Sequence, residues 1–509
     1  MEASQLGPNV AQTQENVAVY SNSFNYYSRK LNAFSMNTVK VVPQGPTNAA
    51  PGSIISFCLP SNCICSLDAL VLMFKLTSGA VADTDLVSAP RFTSSFIQRC
   101  SVSVSGIQIG NAVSYNNMLS YLLQVATLDR NAVACGNHQL RCPQGWNTAQ
   151  LLGGAFGYSA QQGTQAAGGA CGDYWDMDSK PAGALAVLAN VNGDNDAALG
   201  PKTRNDVDAL ANATQMYCDL FPGLLSNSAP KYLNTALTGQ IRVDLLLESS
   251  QNIYAAQTGT ANGQPTAPVV HVAPNWSLSD IFMYIPVISL QDGVYEASLY
   301  NYIARGQLLS IPFKQFWLFS DNLAAGAQPN ASMRVSVRSG CINRMIYGQR
   351  STDFTAARDT TEIVAGTNSQ GQTTEFFGSK IVGQQRFRYS VNNISLPAND
   401  ITGNNEVEYY RKQALNHNNS STAGSISDNR GGIGAVVDSF VQVMTLADPK
   451  SGLRTQSGLD SMGTNTAIIL ETSGDGAVNV PAGGLQQNLF VEATSLMRVG
   501  MNRSIVIVN

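Results

Sequence analysis

Small polar and apolar residues alternate along Ser101-Val-Ser-Val-Ser-Gly-Ile-Gln-Ile-Gly110, the period of a half-buried strand. After a polar break, Met118, Leu119, Leu122, Leu123 and Val125 recur at helical spacing inside 112–128. The same order returns in the second half. Tyr389-Ser-Val-Asn-Asn-Ile-Ser-Leu-Pro397 alternates, and a short helix bearing Tyr409 is expected over 405–416. Ile107 and Ile394 stand almost as far apart along the chain as Tyr121 and Tyr409, so the order of elements is read as a duplication. Leu247-Glu248 is taken as the counterpart of Leu470-Glu471, with a much shorter central loop in the second copy.

Strand-length apolar or alternating runs fill the rest. They include Ser53–Leu59, Ala69–Leu76, Gly239–Glu248 and Asn275–Ile288 in the first half. In the second they include Ser332–Ser339 (Val335 and Val337 on one face), Phe387–Leu396, Ala467–Glu471, Leu489–Ala493 and Ser504–Val508. Many short strands with turn chemistry between them predict an all-β chain of jelly-roll sandwiches. Residues 1–50 read as an N-terminal arm ending in Pro43-Gln-Gly-Pro46 and Pro51-Gly52, with Phe24, Tyr26, Tyr27 and Phe34 as its contacts to a neighbouring subunit. A first roll is placed at 51–295 and a second at 296–509. The stretch of about 130–212 lacks an apolar period and reads as an inserted loop of the first roll.

Charge narrows the choice of function. Only 13% of residues are charged, about half the usual share, and the net charge is −4. Surfaces of small neutral polar groups suit broad protein–protein burial, and no polyanion-binding surface or sequence-specific nucleic-acid site is indicated. No apolar run approaches the ~20 residues that span a bilayer. Met1–Pro8 lacks a basic segment followed by an apolar core, so no secretory signal is expected. Nine cysteines at irregular spacing then suggest reduced thiols and synthesis in the cytosol.

Candidate chemistry is sparse. The three histidines, His138, His271 and His417, read as solvated or structural. Cys58, Cys63 and Cys65 lack the fourth ligand of a zinc site, and Cys65 is expected to face a core while Cys63 faces away. Cys135 and Cys142 could pair across a loop. Asp173-Tyr-Trp-Asp-Met-Asp178 and Asn192–Asp196 could offer oxygen ligands, but reading them as plain loops is preferred. The sequons at Asn212, Asn275, Asn330 and Asn393 are expected by chance in so Asn-rich a chain. Gly431-Gly-Ile-Gly434 has no following Lys-Ser/Thr and fails as a phosphate loop. No catalytic, metal or cofactor residues are assigned.

Several segments resemble a family. Phe221-Pro-Gly-Leu-Leu225, Lys231-Tyr-Leu-Asn234 and Gly239–Leu246 look like later strands of the first roll in double jelly-roll major capsid proteins. Trp276–Tyr284 looks like its last strand; Ser457–Asp460, Ile468–Glu471 and Ile505–Val508 are similar to the end of the second. The resemblance is to capsid proteins of eukaryotic double-stranded DNA viruses such as virophages and polinton-like viruses. It implies two tandem eight-stranded jelly rolls and a homotrimer of pseudo-hexagonal outline that tiles an icosahedral shell. It also implies a virion location, contacts with neighbouring capsomers and with penton and minor capsid proteins, and an outward tower from the 130–212 loop. The other functions weighed are a carbohydrate-binding or adhesin-like sandwich, which would want an export signal, and a β-sandwich hydrolase.

Overall fold

The computed structural model describes residues 34–78, 86–88, 93–113, 118–120 and 122–123, then most of 216–351, 384–402, parts of 406–413, 441–448, 458–462, 467–474, 480 and 484–509. In the first half the strands are β1 (Phe34–Val41), β2 (Ile54–Cys58), β3 (Ile64–Ser66), β4 (Val71–Ser78), β5 (Leu86–Ser88), β6 (Ile97–Val104), β7 (Ile107–Val113) and β8 (Met216–Cys218). β9 (Tyr232–Asn234), helix α1 (Thr235–Thr238), β10 (Ile241–Leu247), β11 (Ala255–Ala261), β12 (Gln264–Val272) and β13 (Trp276–Leu290) follow. Helix α2 (Val294–Ala304) leads to β14 (Leu309–Leu323), β15 (Ala331–Val335), β16 (Ile342–Ser351), β17 (Gln384–Val391), β18 (Ile394–Ser395), β19 (Gln442–Thr445), β20 (Ile468–Gly474), β21 (Leu485–Val499) and β22 (Ile505–Val508).

Two facing sheets make the first roll. In one, β4 and β3 pair with one edge of β13 and β1 with the other, while β8 and β9 extend the sheet beyond β4 and β3. The second runs β2-β10-β6-β7. Strand alternation supplies the core. In β10, Ile241, Val243, Leu245 and Leu247 are buried while Arg242 is exposed. Trp276 and Phe74 both pack edge-on against Phe96, at 5.1 and 5.8 Å between ring centroids.

The second roll repeats eight strands of this plan, without counterparts among the described residues for β3, β9 or the separate sheet β12-β11-β5. Its sheets run β14-β21-β16-β19 and β15-β20-β17-β18. Thus β14, β15, β16, β17, β18, β19, β20 and β21 take the places of β1, β2, β4, β6, β7, β8, β10 and β13. Every described pairing is antiparallel and, apart from a bridge between Ser228 and Phe313, stays within 34–290 or within 309–508. That is an eight-stranded jelly roll, twice.

Three expectations need correction. Residues 34–50 are not arm: β1 pairs with β13 over eight positions, from Phe34 with Leu290 to Val41 with Met283, and is the first strand of the first roll. The alternating runs at 101–110 and 389–397 are hairpins rather than single strands. Ser105-Gly106 and Asn392-Asn393 all have positive φ (50°, 81°, 51° and 66°), as a two-residue primed turn demands. Last, the pairing of Leu247 with Leu470 is four residues out. Val104 pairs with Ile241 as Val391 pairs with Ile468, which places Leu470 opposite Tyr389 where Val243 lies opposite Val102.

The hairpin geometry fixes where the long connections leave. β7 and β18 both run away from their turns, so the chain after Val113 and after Ser395 departs from the same end of each roll.

Candidate assembly surface

Phe24, Tyr26 and Tyr27 lie outside the described residues, while Phe34 opens β1. The inserted loop at about 130–212 lies outside them too, as do His138, His417, Cys135, Cys142, Cys171, Asp173–Asp178 and Gly431–Gly434.

The described surface with most structure is the junction between the rolls. It lies on the outer face of the sheet containing β21. Along β21, Leu489, Val491 and Ala493 point into the second roll's core, which sends Phe490 and its neighbours two residues away to the other side. There Phe490 joins Phe316, Ile346, Val441 and Val443 in an apolar cluster closed by Met118, Leu119 and Leu122 of the first half. Asn488 on the same face donates through Nδ2 to the Met118 sulfur at 3.3 Å. The helical spacing read in the sequence therefore belongs to a clamp that covers the second roll. A second joint forms where Ile311, Phe313, Met497, Val499 and Ile505 enter the core of the first roll.

Beside the apolar cluster sits a buried charge. Glu492 has no exposed surface; its Oε2 accepts from Arg344 Nε at 2.6 Å, and Lys314 Nζ lies 2.7 Å from Oε1. Burial acts to raise this carboxyl, but the Arg344 and Lys314 charges outweigh it and hold it below its ordinary value. Three adjacent strands, β14, β16 and β21, each supply one member, so the group ties the sheet together at its centre. No pattern along the chain points to it, because the three residues are distant in sequence.

Remaining polar candidates serve the fold. Cys63 and Cys65 do not face apart: their sulfurs lie 3.4 Å from each other, and both approach the Pro60 carbonyl. The turn at Ser61-Asn62, with φ +58° at Asn62, brings Cys63 round to the strand's inner side. Burial, reinforced by Cys63, pushes the Cys65 thiol well up. Among the described residues no group of three or more His, Cys, Asp and Glu side chains could hold a metal ion. Among them no helix is long and apolar enough to cross a membrane. Asn330 accepts from the Gly474 amide at 2.9 Å, and Asn393 forms the β17–β18 turn, so these two sequon asparagines have structural work. His271 lies in β12.

No protein-family model matches the sequence, and no curated protein matches it. Solved structures do match. PBCV-1 VP54, fitted into a reconstruction of the virophage Sputnik, aligns with TM-score 0.52 at 10% identity, over 96% of this chain and 99% of its own. The PBCV-1 virus capsid aligns with TM-score 0.51 at 11% identity, over 96% and 100%. The Faustovirus major capsid protein aligns with TM-score 0.50 at 9% identity, over 95% and 94%. This chain is a double jelly roll. In it the two rolls are unequal in their outer faces. In the double jelly roll the β14-β21-β16-β19 sheet of the second roll is roofed by Met118, Leu119 and Leu122, whereas on the matching sheet of the first roll Met36 is 55% and Tyr284 37% exposed.

Proposed function

We propose that this chain is the major capsid protein of an icosahedral virus, a shell-former without catalysis, and that it assembles as a homotrimer. The observation that carries the reading is the double roll itself, matched end to end by viral capsid structures. Two like rolls joined through an apolar face give one chain two sixths of a pseudo-hexagonal outline, and three copies complete it. Low charge supports the same reading, since a lattice buries much surface and few charges then need desolvation.

The rest of the arrangement follows from the end at which the long connections leave. The stretch after Val113 would rise as the larger tower, and residues 1–33, with Phe24, Tyr26 and Tyr27, would reach neighbouring capsomers or minor and penton proteins. The virion is its location, after synthesis in the host cytoplasm.

Light scattering over a concentration series tests the homotrimer. A stable species near three times 54.1 kDa is expected. A clean monomer at all concentrations would contradict it and move a monomeric adhesin-like sandwich forward.

A further inference from the structure

The two rolls offer the same outer sheet face in two conditions. In the second roll, Phe490 pairs across to Ile346, and Ile346 to Val443. In the first, Phe282 pairs across to Met73, and Met73 to Tyr217. Two residues further along, Glu492 corresponds to Tyr284, which pairs with Lys40 of β1 as Glu492 pairs with Phe316 of β14. The second face is covered within the chain. The first is open only in part: Phe282 is buried at 7% exposure beneath the Lys40 amino group and meets Tyr284 edge-on, while Tyr284 is 37% exposed and Met73 and Tyr217 are half-buried.

The cover has a duplicate too. The helical residues after β7 meet Asn488 through Met118. Their counterparts after β18 lie within 406–413, where Val407 packs into its own roll's core. Glu406, Tyr409 and Gln413 are exposed on the opposite face at helical spacing, Tyr409 to 60%. So one chain holds a sheet face with an exposed tyrosine, Tyr284, and on the counterpart helical residues a more polar exposed face that carries a second tyrosine, Tyr409.

We propose that the helix within 406–413 of a second copy docks on the Phe282–Tyr284 face of the first roll, repeating between chains the contact that Met118, Leu119 and Leu122 make within one. This rests on the homotrimer reading and gives it an interface. The joint is heterologous: each copy offers a helix to the next and a sheet face to the one before. Six rolls then follow one another through one kind of contact, and three chains close the ring. Tyr409 enters the aromatic row. Glu406 arrives beside Lys40 and beside Lys75, which is paired to Asp280 at 2.9 Å.

The test is the solution mass of the full chain carrying Tyr409→Asp or Tyr284→Asp, with Ile394→Asp as control. Ile394 is 67% exposed but sits beside the β17–β18 turn, away from this face. Thermal melts by circular dichroism confirm folding, and both tyrosines are exposed enough for the substitution to leave the roll intact. Each tyrosine variant should fall threefold in mass to 54.1 kDa, while the control keeps the wild-type mass. If the wild type is trimeric and a folded tyrosine variant stays trimeric, this interface is overturned and the capsid reading stands. If the wild type is itself monomeric, the homotrimer reading fails and takes this interface with it.

Discussion

Phe282 and Phe490 hold the same place in the two rolls, each on the outer face of the last long strand and each paired across to an aliphatic neighbour, Met73 or Ile346. Their surroundings differ. Phe490 is roofed by the helical residues of the first half, whereas Phe282, also buried, lies beneath the Lys40 amino group beside Tyr284, which is 37% exposed.

The Glu492 group predicts an acid response. A carboxyl whose folded pKa is depressed contributes stability above its unfolded value, 4.5 here, and loses that contribution as pH falls through the folded value. Glu492→Gln should cost about 3–5 kcal/mol at neutral pH, because Lys314 and Arg344 lose the buried charge that pairs them. The difference between wild type and variant in denaturant unfolding should shrink as pH is lowered below 4.5. A difference that stays constant with pH would contradict the ion-pair account.

Gly458 is needed for space. A Cβ there would press on the Ile342 carbonyl and lie 2.9 Å from the Cys341 sulfur. Ile342 cannot withdraw, since it exchanges both backbone hydrogen bonds with Leu459 at 2.8 and 2.9 Å. Gly458→Ala should destabilise the second roll by about 1–3 kcal/mol, read as a lower melting temperature. An unchanged melt would show that the backbone yields there.

Two truncations separate strand from arm. Removing residues 1–33 should leave the trimer and its melting temperature intact while impairing shell formation. Removing residues 1–45 also deletes β1, stripping one edge of β13 of eight paired positions, and should lower the melting temperature or abolish soluble protein. Equal behaviour of the two truncations would contradict the assignment of β1.

Thiol reactivity should follow burial. Desolvation pushes the Cys100 thiol up to about 12, so at pH 8 only about one part in ten thousand is thiolate. Iodoacetamide followed by peptide mass spectrometry should label half-buried Cys58 well before Cys100 and Cys65 in the folded protein. Labelling of Cys100 at the same rate would mean that the first roll opens.

Much of this architecture was legible because strands write their period into the sequence. The hairpin at Ser101–Gly110 and its copy at Tyr389–Pro397 pointed to two rolls, and the structure matches them through Val104 and Val391. Register was less legible. The repeated Leu-Glu pair suggested Leu247 with Leu470, but an alternating strand fits its neighbour at any even shift, and side-chain identity does not choose between them. β1 is hard to read in the sequence because its outward residues Met36, Thr38 and Lys40 are exposed and Val41 is its one buried residue, so Phe34 resembles the arm aromatics that precede it. The helix at Met118 was visible, but the surface it covers was not, because Phe316, Ile346 and Phe490 are brought together only by the fold.

If this chain builds a closed shell, the full-length protein should do so on its own. Electron microscopy of it, purified as a folded capsomer and concentrated under assembly conditions, decides the matter. Closed shells or sheets with hexagonal packing of three-chain units are the predicted result. Folded, dispersed single particles across salt, pH and concentration would contradict it.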